Sequence, residues 1–251
     1  MTVYTCEDSL EGILTCIYDA WASRLGQKNI RLMLEPVTQP ELFCDYLYIP
    51  PDSEKSSKVA HSIRNRISLN AWEMVYRVSR SCDPAKADRI YRFLLYGFAY
   101  GSRSEQMLGV PAVMNFLELN RKVLNEVHHH IEFIRFSVCP GNILVSHISP
   151  RSDILTLTAP HFSDRMPSES WMIIDDVRST AAVHPGEEIC YYTVLSSEEL
   201  ETLKSSQNTD SFYSGLWKVF FQSVTIRERE NPDCQRSFLP LWLRRHMTEF
   251  Q

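Results

Sequence analysis

At about residue 131 the hydrophobic period of this 251-residue chain changes, and that change constrains its fold more than any motif does. Before it, apolar residues recur every three to four positions. In "VYTCEDSLEGILTCIYDAW" a short strand leads into Leu10, Ile13, Leu14, Ile17, Tyr18 and Trp21, which form one stripe of an amphipathic helix. Asp8 is placed to cap that helix, with Glu11 three residues on. After the change, "IEFIRFSV", "ILVSHI", "WMIIDD", "STAAVH" and "EEICYYTV" read as strands. The first two meet at Pro140–Gly141, a pair suited to the middle of a type II turn. Helical spacing returns in "SSEELETL", "SFYSGLWKVFFQSV" and "PLWLRRHM". The expected class is α+β, with helices flanking a mainly antiparallel sheet of short strands.

Within the first part, "IRLML" and "DYLYI" are expected as short strands on either side of the proline-broken loop "EPVTQPE". Helices are expected over residues 54–81, in "DPAKADRIYRFLLYGFAYG", from Pro111 to about His130, and near 152–165. In the second of these, Asp83 is the expected cap, Pro84 sits in the first turn, and Gly101 is the expected stop. No repeat, low-complexity tract or linker interrupts the pattern. The chain therefore reads as one domain over 1–251: a helix-rich part to about 130, a strand-rich part over 131–195, and a helical tail over 196–251. The tail is expected to pack back on the body. Leu216, Trp217, Phe220, Phe221, Phe238, Leu239 and Trp242 carry too much apolar surface to leave in water, at roughly 25 cal/mol per Å².

Charge and cysteines narrow the function classes. A net charge of −5 argues against a protein that coats nucleic acid through a broad positive field. Residues 211–251 hold six Lys or Arg against four Asp or Glu, so the tail is a local positive spot beside aromatic residues. The seven cysteines are scattered singly, without C-x-x-C spacing. With no apolar leader, their thiols are expected to stay reduced in a cytoplasm. No stretch approaches the roughly 20 apolar residues of a membrane span, so no membrane partner is expected. P-loop, G-x-S-x-G and H-E-x-x-H motifs are absent, and no cofactor is expected.

The polar residues that stand out are few. Arg121, Asn125 and His128 lie at i, i+4 and i+7, a stripe that suits a phosphate or carboxylate but also suits solvent. His128, His129 and His130 cannot chelate one ion together, because neighbours on a helix point about 100° apart; no metal site is expected. Arg135 falls inside a strand-like run, where a charge must be paired or face water. His161 and Arg165 share a helical face beside Pro160. Asp175, Asp176 and Arg178 gather at a strand end, where carboxylate beside guanidinium is most often a structural pair. Arg229 and Asn231 mark a charged helix exit in "IRERENPDC".

"VYTCEDSLEGILTCIYDAW", "ADRIYRFLLYGF", "NEVHHHIEFIRF", "HFSDRMPSESWMIIDDVR" and "LWKVFFQSVTIRERENPDCQRSFLPLWLRRHMTEF" occur in this order along the chain. Together they resemble, essentially end to end, a bacterial family of DNA metabolism proteins of unknown function. Members accompany a radical S-adenosylmethionine protein of DNA repair, and some are fused to a uracil-DNA-glycosylase-like domain. The resemblance implies an accessory protein of DNA repair that binds DNA, the radical enzyme or a glycosylase-like protein. Positions matching the family pattern include His128, Arg135, His161, Asp175, Arg178, Arg229 and Asn231. The alternative is a stand-alone hydrolase or phosphodiesterase on nucleic acid or a nucleotide. There His128 or His161 is the general acid–base candidate, Asp175 orients it, and Arg121, Arg135, Arg165, Arg178, Arg229 and Asn231 are anion-binding candidates.

Overall fold

A computed structural model describes residues 1–206 and 212–250 of the chain. Ser211, where one of the expected helices begins, lies outside the described residues. The fold is α+β, and the chain divides into two compact units, Met1–Leu124 and Asn125–Gln251.

The first unit runs β1 (Thr2–Cys6), α1 (Leu10–Ala22), β2 (Ile30–Leu34), β3 (Asp45–Tyr48), α2 (Ser53–Arg66), α3 (Leu69–Ser79) and α4 (Lys86–Tyr100). The long α5 (Pro111–Phe133) starts in it. β1 lies between β2 and β3 and is parallel to both. A parallel return needs a long crossover. α1 supplies one between β1 and β2, and the residues between Leu34 and Asp45 supply the other. This small parallel sheet is additional to the one mainly antiparallel sheet that the periodicity predicts.

Two helix starts differ from expectation. α1 is capped by Ser9, whose Oγ accepts from the Gly12 N–H at 2.9 Å. Asp8 instead forms an ion pair with Lys86, whose buried ammonium also donates to the Ser81 carbonyl at 2.7 Å. α4 begins at Lys86, and Asp83 accepts from the Ala85 N–H at 2.8 Å just ahead of it. Gly101, with φ of 60°, ends α4 as expected, in a backbone region costly for other residues. Ile13, Ile17, Ile63, Val75, Phe93, Leu94 and Phe116 meet in the core of this unit, where the Phe93 and Phe116 rings stack with centroids 4.0 Å apart.

In the second unit α5 runs on to Phe133, so the three histidines are helical and Arg135 follows the helix rather than lying in a strand. The reason is that Val127, His130, Ile131 and Ile134 keep helical spacing and face inward. Then come β4 (Ser137–Cys139), β5 (Ile143–Ile148), α6 (Leu155–Arg165), β6 (Ser170–Asp175), β7 (Thr180–Pro185) and β8 (Tyr191–Val194). The sheet order is β4-β5-β6-β7-β8. Every pair is antiparallel except β5–β6, which α6 connects as a crossover. The β4–β5 turn holds two left-handed residues, Gly141 (φ 85°) and Asn142 (φ 59°). Trp171, fully buried, stacks on His184 at 5.0 Å.

α7 (Ser197–Ser206), α8 (Phe212–Val224) and α9 (Pro232–Phe238) follow, and the chain ends in single 3-10 turns at Leu243–His246 and Thr248–Phe250. Leu239, Leu243 and Met247 are buried in a cluster with Phe133, Trp242 and Phe250. The last segment is thus stitched to the end of α5. Among the described residues, no helix is long and apolar enough to cross a membrane.

Candidate functional site

The parallel pairing of β5 and β6 sets two strand ends side by side, with Ile148 opposite Asp175. Polar side chains gather there: His147, Ser149, Asp175 and Asp176. The carboxyl ends of neighbouring parallel strands are where open sheets leave a crevice for chemistry.

Asp175 is fully buried and committed to its own turn. Its Oδ1 accepts from the Val177 N–H at 2.9 Å and the Arg178 N–H at 3.3 Å, and its Oδ2 from Arg178 Nη1 at 2.9 Å. Arg178 donates onward to the carbonyls of Pro150 at 3.3 Å and Arg151 at 2.6 Å. The pair ties the β6–β7 turn to the loop after β5. Burial pushes the Asp175 carboxyl above its ordinary range, against the opposing pull of Arg178.

Asp176, one residue on, accepts at 2.8 Å from Nδ1 of His147. The His147 side chain is only 6% exposed, and its Nε2 is buried without a hydrogen-bond partner among the described residues. A carboxylate on Nδ1 holds the proton there and leaves Nε2 as the acceptor. From the last turns, His246 Nε2 lies 2.9 Å from Ser149 Oγ. From the end of α5, buried His130 donates through Nδ1 to the Glu126 carbonyl at 2.8 Å, and its ring centroid lies 5.5 Å from that of Trp242.

The three histidines, Ser149, Trp242 and Leu243 line a cavity of about 20 Å³. That is room for about one water. Burial lowers the pKa of both His130 and His246; for His246, nearby Asp176 opposes the shift, while His147 and His130 add to it. Burial therefore favours the neutral rings of His130 and His246 here. Among the described residues, no group of three or more His, Cys, Asp or Glu is arranged to hold a metal ion. What the arrangement can do is move protons. His147 can take one at Nε2, with Asp176 stabilising the imidazolium, and the Ser149–His246 pair can give or accept another.

The residues singled out in the sequence lie as follows. His128 is exposed, and its Nε2 is 3.0 Å from Glu132 one helical turn on. Arg121 and Asn125 are exposed on the same helix. His161 and Arg165 are exposed on α6, and Pro160 sits within that helix. Arg135 donates to Glu249 at 2.8 Å and lies over the Trp217 ring at 5.6 Å from its centroid. Arg229 is exposed in a single 3-10 turn, and Asn231 caps α9 by accepting from the Cys234 N–H at 3.0 Å. Of the whole set, Asp175 and Arg178 are brought together; no hydrogen bond or ion pair links either to His128 or His161 among the described residues.

Of the chamber residues His130, His147, Ser149, Asp176 and His246, the sequence named His130 and Asp176 without this role and left the other three unmarked. A signal existed for two of the chamber residues. In "ILVSHI" the alternation puts His147 on the face of Val145, an apolar face. In "WMIIDD" the second aspartate lies just past the strand, free to turn away from the first. Nothing local marks His246.

A family model described as a domain of unknown function, DUF4130, matches residues 84–249. It spans the larger part of the chain, including every residue of this chamber, and the chain belongs to that family. No curated protein matches the chain.

Proposed function

We propose that this member of the DUF4130 family works on nucleic acid in DNA repair or metabolism, as a hydrolase or phosphodiesterase with His147 as its general base. The likeness of its five stretches to proteins accompanying a radical S-adenosylmethionine enzyme supports the setting. The observation that carries the chemistry is the His147–Asp176 contact at 2.8 Å with Nε2 left buried and unpartnered. A base needs an open lone pair, an orienting carboxylate and a protected place for water, and these three coincide here. The buried rings lining the chamber keep it from filling with positive charge. Trp242, Leu243 and His246 form one wall of the cavity.

The test is hydrolysis of single- and double-stranded DNA and of a nitrophenyl phosphodiester, alone and with the radical enzyme added. His147→Ala and Asp176→Asn are expected to slow wild-type turnover by about 10²–10⁴-fold and by a smaller factor, respectively. Absence of turnover by the wild type on every substrate sinks the reading.

A second reading, an accessory module that docks on the radical enzyme or a glycosylase-like protein, is favoured by the surface of the tail. Leu216, Trp217, Val219, Phe220, Phe238 and Leu241 are all exposed. Isolated exposed apolar residues are ordinary, but this many within one segment points to a protein partner. Co-purification with the radical enzyme, abolished by Phe220→Asp or Phe238→Asp, is the expected result; an unchanged complex counts against it.

A further inference from the structure

The first unit carries an open cleft of about 450 Å³ that the acid–base chamber does not involve. Tyr18 and Trp21 of α1, Phe98 of α4, and Lys58, Ser62 and Arg66 of α2 line it. Its volume lies in the usual range of small-ligand sites, roughly 300–1,000 Å³. The aromatic wall is ordered: the Trp21 and Phe98 rings meet edge to face at 5.3 Å, with planes 83° apart. Trp21 is nonetheless 45% exposed, on a helix whose inner face is sealed. The cleft thus presents a flat apolar ring to solvent instead of burying it.

Its charge is one-sided. Lys58 and Arg66 line it, and among the described residues no carboxylate does. Glu54 holds Lys58 from outside the cleft at 2.6 Å, an exposed i, i+4 pair of the weak kind that a phosphate displaces readily. A second, more open depression on α2 shares Lys58 and Ser62 with the first and adds Ser53, Glu54, Ser57 and His61. Beyond Lys58 the helix thus carries hydroxyl and imidazole groups together with the Glu54 carboxylate that pairs with Lys58. A planar ring carrying an anion is what such a surface recognises, and the open end of the cleft lets the anion be one link in a longer chain.

We propose that this cleft takes one unstacked nucleotide of a single-stranded nucleic acid, with the base against Trp21 and Phe98 and its phosphate between Lys58 and Arg66. The proposal rests on reading the chain as one that handles nucleic acid, and it adds the form in which the strand is held. Aromatic faces stack with any base, so binding is tolerant of sequence. Arg66 contributes a planar fork to phosphate oxygens, and Lys58 a point charge.

The experiment is fluorescence anisotropy of a labelled short thymidine oligomer with the full chain at low salt. Trp21→Ala is expected to weaken binding about tenfold, the range seen when a stacking ring is removed. Arg66→Ala is expected to weaken it and to reduce the salt slope by about 0.7, as loss of one phosphate contact requires. Both residues are exposed, and thermal melts on both variants verify that the fold is intact. Anisotropy reads binding and not turnover, so a wild type that binds the oligomer without hydrolysing it separates this proposal from the hydrolytic one. Wild-type binding unaffected by Trp21→Ala and Arg66→Ala overturns it, as does a wild type that does not bind. Displacement of the oligomer by thymidine monophosphate at comparable concentration also overturns it, in favour of a free-nucleotide site.

Discussion

Arg135 and Glu249 are separated by 114 positions in sequence, yet Nη2 of one lies 2.8 Å from Oε1 of the other. The carboxylate is 3% exposed and the guanidinium 27%. Arg135 also covers the ring of Trp217, so one side chain joins the end of α5 to two parts of the tail. Arg135→Ala strands a buried carboxylate and is expected to cost about 3 kcal/mol or more. Glu249→Gln leaves Arg135 able to reach water and is expected to cost less. Burial works against the Glu249 charge, but the hydrogen bond from Arg135 helps hold its pKa below the usual glutamate range. A depressed carboxylate stabilises the fold above its unfolded pKa, about 4.3, and loses that contribution as pH falls through the folded value. The gap between wild type and Arg135→Ala in chemical denaturation should therefore narrow below about pH 4.

The buried histidines set a second pH dependence. Burial lowers the pKa of His130 and His246, so the folded protein holds their rings neutral to lower pH than the unfolded chain does. Their contribution is complete above the unfolded value, about 6.5, and is lost as pH falls through the folded values. Besides Asp176, His147 and His130, Arg245 acts on His246; Glu126, Asp175 and His129 act on His130. The midpoint of thermal unfolding is expected to fall on acidification from about pH 7 to 5, and a His130→Gln, His246→Gln double variant should flatten that fall. A slope unchanged in the double variant refutes the assignment.

Asp175 and Arg178 should respond unequally. Burial raises the Asp175 pKa despite Arg178, so the ionised carboxylate is carried at a cost near neutrality. Asp175→Asn keeps an oxygen for the Val177 and Arg178 N–H groups and is expected to change stability by about 1 kcal/mol or less. Arg178→Ala leaves that carboxylate buried and alone, and releases the Pro150 and Arg151 carbonyls, at an expected cost of about 3–5 kcal/mol. Equal losses in urea denaturation contradict this account.

At the helix exit of the tail, Asn231 and Arg229 part company. Asn231 caps α9 through the Cys234 N–H, and Asn231→Ala should cost about 1 kcal/mol. Arg229 is exposed, and Arg229→Ala should stay within about 0.5 kcal/mol of wild type. If Arg229→Ala weakens DNA binding in a titration while its melt is unchanged, that arginine belongs to a nucleic-acid surface; a large loss of stability means it is structural.

The helices and strands were readable because each is set within a few residues. The α1 stripe, the left-handed stop at Gly101 and the alternation of "ILVSHI" follow from backbone geometry that any short window samples. The misplaced boundaries have causes that a short window does not hold or weighs wrongly. Ser9 rather than Asp8 caps α1 because Asp8 is drawn to Lys86, far along the chain. α5 runs past the histidines because Ile131 and Ile134 continue its inward face.

The amino-acid sequence by itself determined the α+β class and most of its elements; that Leu216, Trp217, Phe220 and Phe238 of the apolar tail stay exposed was decided by the tertiary structure. Which polar groups meet was decided only by the tertiary structure. His147 finds Asp176 across 29 positions because β5 and β6 run parallel in one register, and Arg135 finds Glu249 because the last turns fold onto the end of α5. Such pairs depend on sheet order and chain return. Periodicity carries no record of either, so a buried histidine and a solvated one, His147 and His128, look alike until the chain has closed around them.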